Sequence, residues 1–511
     1  MERMVLTFIG VAVFIVLCWA LAIFYSKKTT NLDQYLVSGR AVGFWVLIGS
    51  WIGGLIGGST LAGFLGYGWA WGMTRYFAIL PACIFLLLFV VIFAKKLSIL
   101  GSKYHLVSIP DFLALRFGDA VRVPAVLFVF FRMSFIVGLQ IMALGLILKT
   151  GFGISLQAGM GIGALIMVGY VAIGGMMASI VVEWFQSLLQ SIVLVACTLI
   201  GMWILSGGHI FKAYALAQET MAGTEGFSFN PLSLPVNMII NYFICMGFYY
   251  FADQWAFQRV FAASKPEVAF KCLSWGNVIG IFFVTLPFFT GIMLRSAAER
   301  GLVDIPLDMA RDSVFFHFVI NVLPTGVGVF FLVCYMAAVL SCGSAFLMSG
   351  APLIVRDVYQ SFINKNAEQK KLMFVGRVGV VIVAVVGIIA AFLIPDLVLL
   401  FNMGNVFTAC GVLIPVLAAF FWKRATSRGG IMACWVGGVA GLTSCIWSLN
   451  NGGDYMLLPN GFPVILVGLI SSLIALVVFS LTQKAESDEI VSVTLYSKMS
   501  ATEEVIQKEA L

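Results

Sequence analysis

Charged side chains are scarce in this chain of 511 residues: Asp, Glu, Lys and Arg make up 10% of it, whereas 61% is hydrophobic. A soluble protein would have to expose this apolar excess to water, so the composition excludes an ordinary soluble domain. Apolar runs of about 20 residues, the length that crosses a bilayer, fill nearly the whole chain. We therefore expect a single membrane domain over residues 1–482, followed by a polar cytoplasmic tail over residues 483–511.

Metal-ligand clusters and catalytic motifs are missing as well. The three His residues lie far apart and the ten Cys residues include no Cys-x-x-Cys pair, which argues against a zinc site and a disulfide framework. The apolar runs contain no His/Glu pair, Ser/His pair or paired-Asp motif, so we expect neither enzymatic activity nor a cofactor. The net charge of +7 does not indicate a nucleic-acid partner, because the basic residues lie in short loops beside the runs.

The apolar runs predict an all-α membrane protein with about thirteen transmembrane helices embedded in the lipid bilayer. The predicted spans cover residues 4–26, 43–72, 75–98, 121–149, 153–175, 177–207, 233–258, 269–294, 325–352, 371–395, 397–422, 429–449 and 462–482. A shorter amphipathic piece, Asp312 to Val322, is expected to be re-entrant or interfacial before the ninth span.

The distribution of Lys and Arg predicts the orientation of the chain. Basic residues accumulate in alternate loops, within residues 27–40, 95–122, 259–271, 356–371 and 423–428. Because cytoplasmic loops carry the excess of Lys and Arg, this pattern and the odd number of spans place the N-terminus outside and the C-terminus inside. We expect a multi-pass protein of the cell membrane, in particular a bacterial inner membrane, as a monomer or a weak oligomer.

Four glycines interrupt the second span, in the segment Trp51-Ile52-Gly53-Gly54-Leu55-Ile56-Gly57-Gly58-Ser59-Thr60. Each glycine costs a helix about 1 kcal/mol relative to Ala, so a plain lipid-facing helix gains nothing from them. One interpretation is a face of small residues against which another helix packs. The other is a helix that unwinds and offers its carbonyl groups to an ion, which would make the protein a transporter.

A second segment, residues 336–344, places Ala338 and Ser341 three positions apart on one helix face, with Cys342 at its border. The Ser341 hydroxyl could complete an ion site on a neighbouring broken helix. The alternative is a hydroxyl that bonds back to a carbonyl of its own helix.

Ionisable groups inside the predicted spans are the third signal, and they include Arg132, Glu183, Asp253 and Arg377. A charge at membrane depth costs at least about 2–3 kcal/mol, so such groups pair with each other or line a water path. Arg132 is expected either to pair with one of the acids or to contact a substrate carboxylate. Asp253 follows aromatic residues near the inner end of its span, which suits a gate or a substrate contact, or an aromatic belt at the interface.

In their order along the chain, these segments resemble the sodium/solute symporter family. The resembling segments are Asp33 to Arg40, the Gly174-Gly175 to Gln186 run with Glu183 at an acidic position, Asp253-Gln254 with Gln258-Arg259, Ala337 to Cys342, and Arg356 to Tyr359. The resemblance implies a leucine-transporter-type fold with two inverted repeats of five helices, over residues 43–207 and 233–422. The discontinuous first helices of the repeats would be those at Gly53 and Asp253, as expected of broken helices that form a transport site.

The resemblance also implies a sodium site formed by the carbonyl groups of Gly53, Ile56 and Ala338 and the hydroxyl of Ser341. Its fifth ligand, usually a Ser or Thr, is replaced here by Cys342, whose thiol is a poor ligand for Na⁺. Glu183 corresponds to an acid implicated in sodium release toward the cytoplasm. No metal other than Na⁺ is expected, and protons are the alternative coupling ion.

The solute is less constrained by the sequence. Leu55 stands where proline-type carriers have an acid, whereas the first broken helix resembles choline-type members most closely. A pocket of Trp51, Phe135 and Asp253 would suit an amine or a quaternary ammonium ion; an organic acid or amino acid bound by Arg132 is the rival. We expect the substrate pocket to comprise Trp51, Leu55, Gly57, Thr60, Phe135, Tyr250, Asp253 and Trp255.

Together these observations predict a secondary active transporter that moves a small organic solute into the cell with Na⁺ by alternating access. Proton-coupled uptake on the same fold is one alternative. A transporter-like sensor is another, although the tail after Lys484 is too short to be a catalytic domain.

Overall fold

The computed structural model describes residues 2–27, 29–394, 397–453 and 456–494, and within these residues the fold is all-helical. This confirms the predicted all-α class. The α-helices are α1 (Glu2–Ser26), α2 (Leu32–Val37), α3 (Phe44–Leu55), α4 (Phe64–Trp71), α5 (Leu80–Phe89), α6 (Lys95–Tyr104), α7 (Ile109–Phe117), α8 (Arg122–Phe152), α9 (Leu156–Ser206), α10 (Ala213–Thr220), α11 (Val236–Gly247), α12 (Gln254–Ala262), α13 (Pro266–Glu299), α14 (Val314–His317), α15 (Thr325–Pro352), α16 (Gln369–Leu393), α17 (Leu397–Thr408), α18 (Ile414–Phe421), α19 (Ser427–Asn450), α20 (Val464–Leu481) and α21 (Asp488–Thr494).

Ten helical stretches of the described residues are long and apolar enough to cross a bilayer, and the bent pair α3–α4 adds an eleventh. One of the ten, α9, has 51 residues and would be about 75 Å long if straight, far more than a bilayer is thick. It bends at Gly175, so that it forms two arms. The predicted number of about thirteen spans and the orientation of the termini stay predictions.

Both first helices of the predicted repeats are interrupted. The helix direction changes by 57° between α3 and the segment that leads into α4. In the second repeat, α11 passes through a 3₁₀ turn (Phe248–Ala252) and stops at Asp253, whose extended backbone separates it from α12. In the middle of the molecule, α3 packs against α9, α13 and α15, and α12 packs against α15.

Two peripheral segments pack onto this bundle. The predicted amphipathic piece forms a short helical segment, including α14, that places the rings of Phe315 and Phe316 against Tyr335 of α15. In the predicted tail, Val491 of α21 is buried, and the Thr494 hydroxyl donates a hydrogen bond to the Ala419 carbonyl at 2.9 Å. The rest of the tail, residues 495–511, lies outside the described residues.

Gly175 adopts φ +66° and ψ −165°, a conformation open essentially to glycine alone. A Cβ at this position would also lie 2.6 Å from Cδ2 of Tyr35. We expect Gly175→Ala to destabilise the detergent-solubilised protein by about 1–3 kcal/mol, measured as a lower melting temperature. Gly161→Ala is the matched control, because Gly161 lies in the same helix with open space around it. Equal melting temperatures for the two variants would contradict this account of the bend.

Candidate functional site

The break after α3 frees carbonyl groups that a continuous helix would use. The N–H of Gly57 donates to Thr60 Oγ1 at 3.3 Å instead of to the Gly53 carbonyl, and the N–H of Gly58 donates to Gln140 Oε1 at 3.2 Å instead of to Gly54. The N–H of Thr60 turns to the Gly57 carbonyl at 3.1 Å, which leaves the carbonyl of Ile56 without its helical donor. Two of the predicted sodium ligands, the Gly53 and Ile56 carbonyls, are therefore released from the helical ladder.

Ser341 of α15 faces this break. Its side chain is buried, and Oγ has no hydrogen-bond partner within the part of the chain that the structure describes. A Cβ on Gly53 would collide with Ser341 Oγ and would lie 3.1 Å from the carbonyl oxygen of Glu183. The glycine thus allows the hydroxyl to lie directly against the broken helix, and Ala338, also buried, lies one helical turn earlier on α15. The structure therefore brings Gly53 and Ser341 together.

Cys342 points to a different part of the break. Its Sγ would lie 3.0 Å from a Cβ on Gly57, and it accepts a hydrogen bond of 3.4 Å from Gln140 Nε2. Gln140 therefore joins Cys342 of α15 to Gly58 of the broken helix. Sequence reasoning missed this residue, although an amide in the apolar run of α8 was a signal that could have found it.

Glu183 lies beside the break, fully buried among hydrogen-bond donors. Its carboxylate forms an ion pair of 2.8 Å with Arg259 and accepts a hydrogen bond of 2.7 Å from Ser179. It also accepts hydrogen bonds from Ser50 and, at 3.2 Å, from Ser344, which lies one turn beyond Ser341. Since burying a carboxyl group without partners is strongly unfavourable, these donors offset the cost of burying Glu183 next to the candidate ion site.

Asp253 occupies the second break and begins α12: its Oδ1 accepts a hydrogen bond of 2.9 Å from the backbone N–H of Trp255. Its other carboxylate oxygen pairs with Arg132, which also donates to Asn405. The Arg132 guanidinium lies 4.4 Å from the centre of the Tyr249 ring. The structure thus identifies Asp253 as the partner of Arg132, which the sequence left open.

Next to both breaks is a mainly apolar cavity of about 140 Å³. A single water molecule needs only about 10–15 Å³ of such space, so the cavity can hold more than a single ion. Polar side chains on its wall include Thr60, Arg132, Gln140, Tyr250 and Asn402. Of the predicted substrate-pocket residues, those that line the cavity are Leu55, Gly57, Thr60, Tyr250 and Trp255.

Trp51, Phe135 and Asp253 do not line this cavity, so the structure does not assemble the expected cation cage. Trp51 is fully buried: its ring stacks on Trp255 with 4.3 Å between ring centres, and its Nε1 donates to Asn277 at 2.9 Å. Phe135 packs its ring against other aromatic rings of α8 and α17. The charge of Asp253 is already compensated by Arg132.

Trp255 instead presents its indole to the cavity. Nε1 is buried and has no hydrogen-bond partner among the described residues, and a Cβ on Gly54 would lie 2.5 Å from it. The Nε of Arg132, another residue of the cavity wall, is also buried without a partner among the described residues. Buried donors normally have hydrogen-bond partners, so these two unpaired N–H groups are exceptions, and both belong to residues of the cavity wall.

Comparison with known proteins agrees with this geometry. The sequence profile of the sodium:solute symporter family matches residues 35–437, more than three quarters of the chain. A sodium/proline symporter of Staphylococcus aureus is 25% identical over 505 residues, covering 94% of this chain and 93% of that protein.

Two solved structures show the fold. One is a Na⁺-coupled sialic acid symporter in a substrate-bound outward-open state, with a TM-score of 0.77, 18% identity, and coverage of 94% of this chain and 98% of that one. The other is a nucleobase-cation-symport-1 family transporter in a closed conformation, with a TM-score of 0.51, 15% identity, and coverage of 90% and 97%. The likeness confirms the expected fold class.

The Glu183–Arg259 pair provides a stability test of the site. Glu183→Gln leaves the guanidinium buried without its counter-charge, so we expect a loss of about 3–5 kcal/mol, which chemical denaturation in detergent can measure. Glu183→Gln combined with Arg259→Gln should recover part of that loss. The control is Glu219→Gln, which removes an exposed ion pair with Arg300 and should change stability by less than about 1 kcal/mol. Additive losses in the double variant would contradict the pairing.

Proposed function

The chain belongs to the sodium:solute symporter family, and from that membership we propose that it carries a small organic solute into the cell together with Na⁺ by alternating access. The observation that carries the proposal is the Ser341 hydroxyl, which has no partner among the described residues and lies directly against Gly53 at the break after α3. The adjoining cavity supplies room for a solute. Ion and solute would then lie on the same broken helix.

For the ion, we propose that Na⁺ is held by the carbonyls of Gly53, Ile56 and Ala338 and by the hydroxyl of Ser341. Na⁺ is a hard cation and prefers such oxygen ligands. Cys342 contributes little to this shell, because its sulfur is soft and is oriented by Gln140. A site with one ligand fewer binds Na⁺ more weakly, and an added hydroxyl at position 342 should strengthen it.

For the release step, we propose that Na⁺ leaves past the buried Glu183–Arg259 ion pair, because Glu183 lies next to the break. The Glu183 carbonyl faces Gly53, and Ser344 connects the carboxylate to the helix of Ser341. A departing Na⁺ would meet this carboxylate once Arg259 moves away from it. Proton coupling through Glu183 is the alternative that the ion test below distinguishes.

For the solute, we propose a small molecule with a carboxylate, carried as a zwitterion such as an amino acid. Arg132 and Trp255 line the cavity, and their side chains carry N–H donors that suit carboxylate oxygens. Since Arg132 and Asp253 neutralise each other, a solute without net charge adds no uncompensated charge to the buried site. The same pairing disfavours a quaternary ammonium ion, which would need Asp253 as its counter-ion.

The ion assignment predicts a selective effect of Na⁺ on stability. NaCl, compared with KCl and choline chloride at equal ionic strength, should stabilise the purified protein by about 1–3 kcal/mol, measured as a higher melting temperature. Ser341→Ala should abolish this shift, whereas Cys342→Ser should enlarge it. Equal stabilisation by all three salts in both the parent and Cys342→Ser would contradict a sodium site here. Uptake that follows a pH gradient alone would then favour protons.

The solute assignment predicts which compounds accumulate in proteoliposomes. With an inward Na⁺ gradient, we expect uptake of a radiolabelled amino acid from a panel that includes L-proline, and no uptake of choline. The double variant Arg132→Gln with Asp253→Asn removes the charged donor without leaving the carboxylate of Asp253 unpaired. We expect it to lower the uptake rate at least about tenfold. Phe135→Leu, outside the cavity wall, should keep most of the uptake. Na⁺-driven choline uptake without amino-acid uptake would overturn the assignment.

A further inference from the structure

A second cavity, of about 230 Å³, lies beside the central one and shares Tyr67 with it. We call it the arginine vestibule. It is lined by Tyr67, Trp71, Arg75, Met238, Asn241, Tyr242, Arg311, Met456 and Leu457. None of these residues belongs to the candidate ion site or to the solute-binding groups described above.

Two guanidinium groups are held in the vestibule on aromatic rings. Arg75 and Arg311 lie 5.0 and 5.1 Å from the centre of the Trp71 ring, and Arg311 also lies 5.1 Å from the ring of Tyr67. Arg75 in addition donates a hydrogen bond of 3.0 Å to the Tyr242 hydroxyl. The electron-rich ring face attracts each stacked cation, so both guanidiniums are positioned before any ligand arrives.

The positive charge of the vestibule is only weakly compensated. Its described lining residues include two arginines and no carboxylate. The acid in contact with Arg311 is its neighbour Asp312, at 3.5 Å, and both side chains are substantially exposed, at 35% and 51%. An exposed pair of this kind contributes little and leaves Arg311 able to bind another anion. A planar guanidinium matches a carboxylate with two parallel hydrogen bonds.

We propose that the arginine vestibule binds the carboxylate of the solute before the solute enters the central cavity. The proposal rests on the proposed function only in naming the transported solute as the source of that carboxylate. Tyr67 forms a wall of both cavities, and Asp312, which follows Arg311, lines the central one, so a molecule leaving the vestibule comes next to the central site. The vestibule would raise the local concentration of an anionic group at the entrance.

A thiol placed in the vestibule tests the proposal without a transport assay. Met238→Cys provides the thiol, and the described native cysteines are all buried, so the parent chain gives the background. We expect an anionic methanethiosulfonate to react faster than a cationic one, and the preference to fall about tenfold when Arg75→Gln and Arg311→Gln are added. L-Proline and lactate should slow the labelling of Met238→Cys, whereas lactamide, the neutral counterpart of lactate, should not.

The proposal would be overturned by protection by lactamide equal to that by lactate, by protection that survives both arginine substitutions, or by no protection by either carboxylate. Protection by chloride as strong as that by lactate would show a general anion site and would also overturn it. In proteoliposomes, the two arginine substitutions should raise the KM for the transported solute and leave kcat nearly unchanged. Carboxylate protection in a protein that shows no Na⁺-driven uptake would leave the vestibule site standing and reject the proposed function alone.

Discussion

The interrupted hydrogen-bond ladder between Gly53 and Thr60 is the constraint on which the rest of the structure depends. A lipid bilayer offers no water to unpaired backbone groups, so a broken helix at this depth has to be enclosed by protein that replaces the missing bonds. Two neighbours contact the break directly: Gln140 accepts from the Gly58 N–H, and Tyr335 donates to the Gly58 carbonyl at 3.1 Å. Gln190 adds a second donor, at 3.3 Å, to the Ile52 carbonyl, which still accepts from the Ile56 N–H. The helices that carry these residues must therefore surround the break.

Buried charged side chains also need partners, and leaving one unpaired costs more free energy than leaving a backbone group unpaired. Glu183 lies beside the first break and Asp253 in the second, and each carboxylate has its own arginine partner. Taking a single charge out of water costs several kcal/mol, and the paired arginine offsets that cost at each position. Because each pair joins helices that are distant in the sequence, the pairs also hold the two repeats in register.

The sequence could predict those features that depend on local composition. Glycines in an apolar span indicate the break at Gly53, whereas the break at Asp253 is expected from the family resemblance and not from composition. It could not predict contacts that depend on how helices rotate and pack. Trp51 suits a cation cage by residue type, yet Trp255 covers its face. Gln140 contacts Gly58, which is 82 positions away in the sequence, and Arg132 contacts Asp253, which is 121 positions away. No local sequence pattern predicts contacts between residues so far apart.

Gln140 gives a physical route by which an ion and a solute can influence each other. Its amide contacts Gly58 of the broken helix and Cys342 of α15, and its side chain also forms part of the cavity wall. A solute that displaces this amide changes the hydrogen bonding of the segment whose carbonyls face Ser341. An ion that draws the same carbonyls inward moves the amide in turn. Coupling of this kind is reciprocal by thermodynamic necessity: the factor by which a bound ion changes the affinity for the solute equals the factor by which a bound solute changes the affinity for the ion.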